Sequence, residues 1–208
     1  FSSCPKLTDI SDLSYWDVTK VYNLTAAFYG CSTLTDISPI SAWNYAPISV
    51  LRNTFAYCRS LTNLNPISNW DTSHFQSLEG TFRNCTSLTN LAPIGGWDIS
   101  TVTTISNIFN TCNTLSYLYP IRNWNTSNVY DMSYAFANCT TLSNLSNLAN
   151  WNTSKVSDIS YMFRSTACSQ LTGLANWDVS SVYSMKGTFE NCTQLTNISA
   201  LHNWDVRN

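Results

Sequence analysis

Charge is scarce in this chain: acidic and basic residues together make up 11%, and the formal net charge is -2. A nucleic-acid partner needs a basic stripe to neutralise phosphates, and none is present. Histidine is nearly missing, with only His74 and His202. They fall in different repeats with no nucleophile elbow beside them, so acid–base and nucleophilic catalysis lack their usual participants. No Cys-x-x-Cys spacing occurs, so a zinc site lacks ligands, and no cofactor or metal is expected. Glycine is limited to six residues, with Gly95-Gly96 as one adjacent pair in a turn; no glycine-rich phosphate loop exists. No run of 18 apolar residues occurs either, so no segment reads as a membrane-spanning helix. Acid, base, metal and phosphate chemistry are all poorly provided for, and the expectation is a protein that is not an enzyme.

What the chain does have is periodicity. Its eight tryptophans are Trp16, Trp43, Trp70, Trp97, Trp124, Trp151, Trp177 and Trp204, each 27 residues after the last except for one step of 26. Phe1, Phe28, Phe55, Phe82, Phe109, Phe136, Phe163 and Phe189 keep the same beat. Cysteine follows Phe by three residues at Cys4, Cys31, Cys58, Cys85, Cys112, Cys139 and Cys192. Cys168 is out of step, as if its coil gained two residues after Phe163 and lost three before Trp177. Such a unit cannot bury its own apolar face, whereas stacked copies can. The expected fold is a repeat solenoid of about eight 27-residue coils with short parallel strands, short helical turns and ladders of Trp, Phe, Leu and Cys. At the usual strand spacing it would be roughly 38 Å long. Residues 1–208 read as a single solenoid domain. Phe1 and Asn208 both fall inside a repeat, so an uncapped piece of a longer array is expected.

Local patterns subdivide the unit. Val129, Met132, Phe136 and Cys139 are spaced three, four and three apart, which predicts a short helix or a run of helical turns. The following triplets, such as Thr33-Leu34-Thr35 and Ser87-Leu88-Thr89, alternate as a short strand would. Pro39, Pro66, Pro93 and Pro120 share one position and exclude helix interior there. After each Trp comes Asp or Asn, then usually Ser or Thr two residues on, which predicts an Asx turn. The tryptophans are expected to stack as a buried column, each indole bonded to the Asn that precedes it, as at Asn69 or Asn123. The irregular step to Trp177 is the expected place for a bend or bulge.

The stretches NWDTSHFQSLEGTFRNCTSLTNL, NWNTSNVYDMSYAFANCTTLSNL and NWDVSSVYSMKGTFENCTQLTNI resemble the BspA-type leucine-rich-repeat surface proteins, specifically their mycoplasma-lipoprotein branch. The resemblance spans the whole chain. It implies a leucine-rich-repeat-like solenoid that is secreted or displayed at a cell surface, with adhesion as its role. The usual family unit is near 25 residues, two fewer than here, and four coils carry a proline before the Trp.

Several residue sets are candidates for sites. The cysteine ladder reads as buried free thiols, because stacked equivalents point in parallel and a bridge would strain both coils. Asp17, Asp71, Asp98, Asp178 and Asp205 form a column, but Asn takes the same place at Asn44, Asn125 and Asn152, so neutral turn bonding is the expected task rather than calcium binding. Thr-x-Thr rows suggest an ice-binding surface as an alternative, against a structural hydroxyl ladder. Tyr130, Tyr134, Tyr161 and Tyr183 form the candidate partner-binding patch. Asn84, Asn138, Asn144, Asn191 and Asn197 are candidate N-glycosylation sites, which would make the chain a glycoprotein. Ser, Thr and Asn number 78 of 208, so other sequons, such as those at Asn125 and Asn152, arise from composition and serve turns. Together these features favour an extracellular or cell-surface adhesion or structural protein. Its partners would be a protein or glycan on another cell or matrix, or copies of itself in a self-assembling filament; no direct membrane insertion is expected.

Overall fold

The computed structural model describes residues 1–206, wound as a leucine-rich-repeat solenoid. One 3-10 segment marks each turn of the winding: Ser11–Tyr15, Ser38–Tyr45, Asn65–Ile67, Ala92–Ile94, Tyr119–Ile121, Ser146–Leu148, Thr172–Leu174 and Ser199–Leu201. Pro39, Pro66, Pro93 and Pro120 stand at the starts of their segments, where a fixed φ helps and the missing N–H costs nothing. An Asx residue two positions ahead braces the entry: Asn90 Oδ1 accepts the Ala92 N–H at 2.9 Å, and Asp36, Asn63, Asn144 and Asn197 do the same.

The segment from Val129 to Cys139 is not a helix. It is a succession of tight turns, closed by bonds from Ala135 N–H to Met132 C=O, Ala137 to Tyr134 and Cys139 to Phe136, each at 3.1 Å. The alternate N–H groups point along the solenoid and reach the next coil: Met132 to Asp158 (3.0 Å), Tyr134 to Ser160 (2.8 Å), Phe136 to Met162 (3.0 Å) and Asn138 to Arg164 (2.7 Å). The 3-4-3 apolar spacing suits this arrangement as well as it suits a helix, because each turn-closing bond also spans three residues. The choice is made by residues with left-handed backbone. Tyr134 (φ 56°) and Asn138 (φ 58°) sit third in their turns, and equivalents recur up the stack at Asn53, Gly80, Asn107 and Tyr161, and at Tyr57, Asn84, Thr111 and Ser165.

Pairing of strands is displaced from its expected place too. Parallel bridges run through Asn23, Val50, Ser77, Thr104, Asp131, Asp158 and Ser184, ahead of the turns. The Thr-Leu-Thr triplets open on turn residues and carry no ladder; Asn144 and Gln170, just beyond them, make one isolated bridge. Their N–H groups are drawn into local turns, as when Leu34 donates to Cys31 at 3.1 Å.

Columns of identical residues fill the interior. Phe28, Phe55, Phe82, Phe109, Phe136 and Phe163 are fully buried and stack at 5.6–5.9 Å between centroids, and the column extends to Phe1 and Phe189. Burial of each ring contributes roughly 2–3 kcal/mol. Trp43 through Trp177 are buried beside them, stacking in pairs such as Trp43–Trp70 and Trp124–Trp151. Their indoles do not bond to the preceding Asn. Each donates to the carbonyl of the third residue of the 3-10 segment one coil back: Trp70 to Ile40, Trp97 to Ile67, Trp124 to Ile94 and Trp151 to Ile121, at 3.1–3.2 Å. That carbonyl points along the stack, where the indole edge reaches it.

At the irregular step the ladder continues. Phe163 stacks on Phe189, Asp158 pairs with Ser184, and the Trp177 indole donates to Leu148 at 3.1 Å. The register there differs from the expectation of two added and three lost. Leu171 precedes its 3-10 segment as Leu145 does, so one residue is missing between Phe163 and Leu171. Thr166 takes the cysteine column and Cys168 takes the leucine column.

Candidate functional site

The cysteines are all free thiols, buried except for Cys4. Each column cysteine donates its S–H to the Phe carbonyl of the preceding coil: Cys58 to Phe28, Cys85 to Phe55, Cys112 to Phe82 and Cys139 to Phe109, at 3.1–3.2 Å. Burial pushes the Cys58 and Cys112 thiols up to about 12 and those of Cys85 and Cys139 well above the ordinary value, so they stay protonated donors.

Asp and Asn after the tryptophan behave alike. Asp71, Asp98 and Asp178 accept the N–H of Ser73, Ser100 and Ser180 at 2.9–3.1 Å, and Asn125 and Asn152 accept those of Ser127 and Ser154 at 3.2 and 3.0 Å. The hydroxyls of these serines, followed by their N–H groups, hold Asp71, Asp98 and Asp178 below the usual carboxylate value. Among the described residues no three His, Cys, Asp or Glu side chains converge as a metal site would require.

The threonines of one of the two hydroxyl rows are spent on the stack. Thr33 donates to Pro5 C=O at 2.8 Å, Thr114 to Thr86 at 2.8 Å and Thr141 to Asn113 at 3.0 Å. Thr35, Thr62, Thr89, Ser116 and Ser143 remain outward.

The tyrosine patch divides in two. Tyr134 and Tyr161 stack at 4.8 Å, half-buried. Tyr130 and Tyr183 are exposed in a neighbouring column with Ser157 between them, and neither joins that stack. The Tyr161 ring lies over Gly187, where an added Cβ would come within 2.5 Å of it. Arg164 and Lys186 sit 5.5 and 5.7 Å from its centroid, and Glu190 pairs with Arg164 at 3.1 Å.

A second cluster on the same row of turns escaped the sequence reading. Tyr29 packs on Tyr57 at 5.1 Å, and Arg83 lies 5.6 Å from the Tyr57 centroid. Tyr29, Gly30, Ser32, Tyr57 and Arg59 line an open cleft there. Between the two clusters runs an amide chain, with Asn110 donating to Asn107 at 2.8 Å and Asn138 to Asn110 at 3.3 Å. Tyr57, Tyr134 and Tyr161 all have positive φ (64°, 56° and 56°), in columns where other coils use Gly30, Gly80 or Gly187. For a bulky residue this conformation costs about 1–2 kcal/mol. The glycines were the sequence signal for these special positions.

The glycan candidates occupy related positions. Asn84, Asn138 and Asn191 are left-handed turn residues on this face, while Asn144 and Asn197 lie at the entries to 3-10 segments.

Among solved structures, the chain is similar to an internalin (inlF) from Listeria monocytogenes str. 4b F2365, with a TM-score of 0.52 and 18% identity over 93% of this chain. The match spans 47% of that internalin, about half its length. An internalin C2 (inlC2) from the same strain gives a TM-score of 0.46 at 17% identity, covering 90% of this chain and 74% of that one. Comparison with curated proteins returns no match. Residues 1–116 and 76–204 each match the family described as "Mycoplasma protein of unknown function, DUF285", and the chain belongs to that family.

Proposed function

We propose that this chain is a non-catalytic, BspA-type surface or secreted repeat protein that mediates adhesion, and that the row of stacked turns is its binding face. The observation that carries this reading is the strain of Tyr57, Tyr134 and Tyr161. Bulky residues are held at positive φ where glycine would sit without strain, and such strain concentrates where function requires it. The rings stand half-exposed beside Arg83, Arg164 and Lys186, a composition suited to protein or glycan surfaces. Binding would be multivalent, because two clusters on one rigid rod present their contacts together. The partner is a protein or glycan on another cell or matrix, or a second copy, and residues 1–208 act as one solenoid unit.

Ice binding has less support, because Thr33, Thr114 and Thr141 have committed their hydroxyls to the preceding coil.

The test is a binding screen on glycan arrays and matrix proteins, comparing wild type with Tyr134→Gly/Tyr161→Gly and with Tyr57→Gly. Glycine suits the backbone at all three positions, so the variants keep their fold. Loss of the bound signal with an unchanged circular dichroism spectrum supports this face. Identical profiles for wild type and variants would remove it.

A further inference from the structure

The coil that lost a residue places two thiols together. Thr166 holds the cysteine position there, its N–H closing the turn on the Phe163 carbonyl at 3.2 Å, and Cys168 holds the leucine position, fully buried. The regular coils set a leucine and the next coil's cysteine at one fixed sequence offset, as in Leu88 with Cys112 and Leu115 with Cys139. At that same offset this coil sets Cys168 and Cys192. The two come from different columns, so the parallel orientation that keeps the ladder cysteines apart does not apply. Their thiols lie within hydrogen-bonding reach of each other, and the Thr166 hydroxyl is 3.5 Å from the Cys192 sulfur.

The Phe163 carbonyl supplies an independent reason. In regular coils this oxygen takes two donors, the N–H of its own turn and the next coil's S–H. Here it takes three: the Thr166 N–H at 3.2 Å, the Thr166 hydroxyl at 2.9 Å and the Cys192 S–H at 3.0 Å. A carbonyl oxygen has two lone pairs, so one donor is in excess. Removing the S–H proton restores the ordinary count.

We propose that Cys168 and Cys192 form a disulfide, a covalent cross-link between successive coils at the shortened step. The oxidant is a low-molecular-weight disulfide. The Cys192 thiolate attacks one of its sulfurs and expels one small thiol; the Cys168 thiolate then attacks Cys192 in the mixed disulfide and expels the second. The protein loses two electrons and two protons, and the small disulfide becomes two thiols. The hydrogen bond from Cys168 favours the thiolate at Cys192 and so selects it as the first nucleophile. The column thiols have no such partner and remain reduced.

The experiment is refolding of the protein in a mixture of oxidised and reduced glutathione at neutral pH, acid quenching, alkylation and non-reducing tryptic mapping. Trypsin cuts after Arg164, Lys186 and Arg207, so Cys168 and Cys192 fall on separate peptides. The expected product joins residues 165–186 to 187–207, two hydrogens lighter than the separate peptides, and disappears on reduction. Cys168→Leu restores the column's regular residue and should fold with Cys192 alkylated; Cys168→Ser serves as a second variant with a smaller side chain. Alkyl groups on both cysteines of refolded wild type, glutathione retained on Cys192, or a cross-link to any other cysteine would overturn the proposal.

Discussion

The thiol of Cys112 donates to the carbonyl oxygen of Phe82 at 3.1 Å, and the backbone N–H of Cys85 donates to that same oxygen at 3.1 Å. The first bond joins two coils and the second closes a turn within one. Trp124 repeats the relationship: its indole and the Trp97 N–H share the Ile94 carbonyl, at 3.1 and 3.2 Å. Thr81 does so again, its hydroxyl joining the Thr54 N–H on Leu51. Each of these three carbonyls therefore uses one lone pair inside its coil and offers the other to a side chain of the next. This explains why the repeated residues are Trp, Cys and Thr rather than plain hydrocarbons. Each combines a body that packs with a donor at the reach the next coil requires.

Removing the donor should therefore cost more than its volume alone. Cys112→Ala loses both the sulfur and the S–H bond and is expected to destabilise the chain by about 1–2 kcal/mol. Cys112→Ser loses similar volume but keeps a hydroxyl aimed at Phe82 and should cost less. Urea unfolding midpoints for the two variants check this. Equal midpoints would reduce the thiol to a packing group.

Burial also predicts a reactivity pattern. Cys4 is exposed, whereas Cys58, Cys85, Cys112 and Cys139 are buried with their thiols held in the protonated form. Under native conditions a thiol reagent such as iodoacetamide should modify Cys4 and leave those four untouched, even at pH 9, where a free thiol is largely ionised. Peptide mapping after brief alkylation gives the answer, and rapid labelling of Cys112 in folded protein would contradict the ladder.

Much of this fold is legible in the sequence, because the period is carried by Trp, Phe and Cys together. The solenoid and its buried columns follow from that alone. Local structure at Val129–Cys139 was not legible, since a 3-4-3 apolar spacing cannot tell a helix from consecutive three-residue turns. The deciding information lies in the left-handed positions. Only a few coils announce them with glycine, at Gly30, Gly80 and Gly187, while Tyr57, Tyr134 and Tyr161 occupy them against preference. The indole partner was misread for a related reason: Asn123 adjoins Trp124 in sequence, but Ile94 lies one coil back and adjoins it only in space. The candidate face was half legible. Tyr134 and Tyr161 stand out by their period, whereas Tyr29 and Tyr57 come together only through the winding.

Glycines differ in what they permit. A Cβ on Gly173 would sit 1.9 Å from the Leu145 carbonyl oxygen, which is backbone of the preceding coil and cannot swing aside; a Cβ on Gly96 would meet nothing within 4 Å. Gly173→Ala is expected to push the coils apart at the shortened step and to cost about 2–3 kcal/mol, within the range of overpacked cores. Gly96→Ala should be close to neutral. Thermal denaturation of both variants measures the contrast, and a silent Gly173→Ala would show that the coil contact is looser than the geometry requires.

The Asx turns set the acid response. Ser100 donates both its hydroxyl and its N–H to Asp98, holding the carboxyl below its ordinary value of 3.8 in the folded chain; Asp17, Asp71 and Asp178 are lowered in the same way by Thr19, Ser73 and Ser180. A group whose folded value is depressed contributes stability above its unfolded value, and that contribution disappears as pH falls through the folded one. The loss therefore begins near pH 4 and deepens below it, and neutral pH shows nothing. Asn125 and Asn152 make the same turn with no titrating group. Replacing Asp17, Asp71, Asp98 and Asp178 with Asn should lower the unfolding midpoint at pH 7, where the carboxylates contribute, and flatten the fall in stability between pH 7 and pH 3. Denaturant titrations at pH 7 and pH 3 separate the two effects. A variant destabilised equally at both would mean that the geometry of the turn's hydrogen bonds, and not the carboxylate charge, is what the position uses.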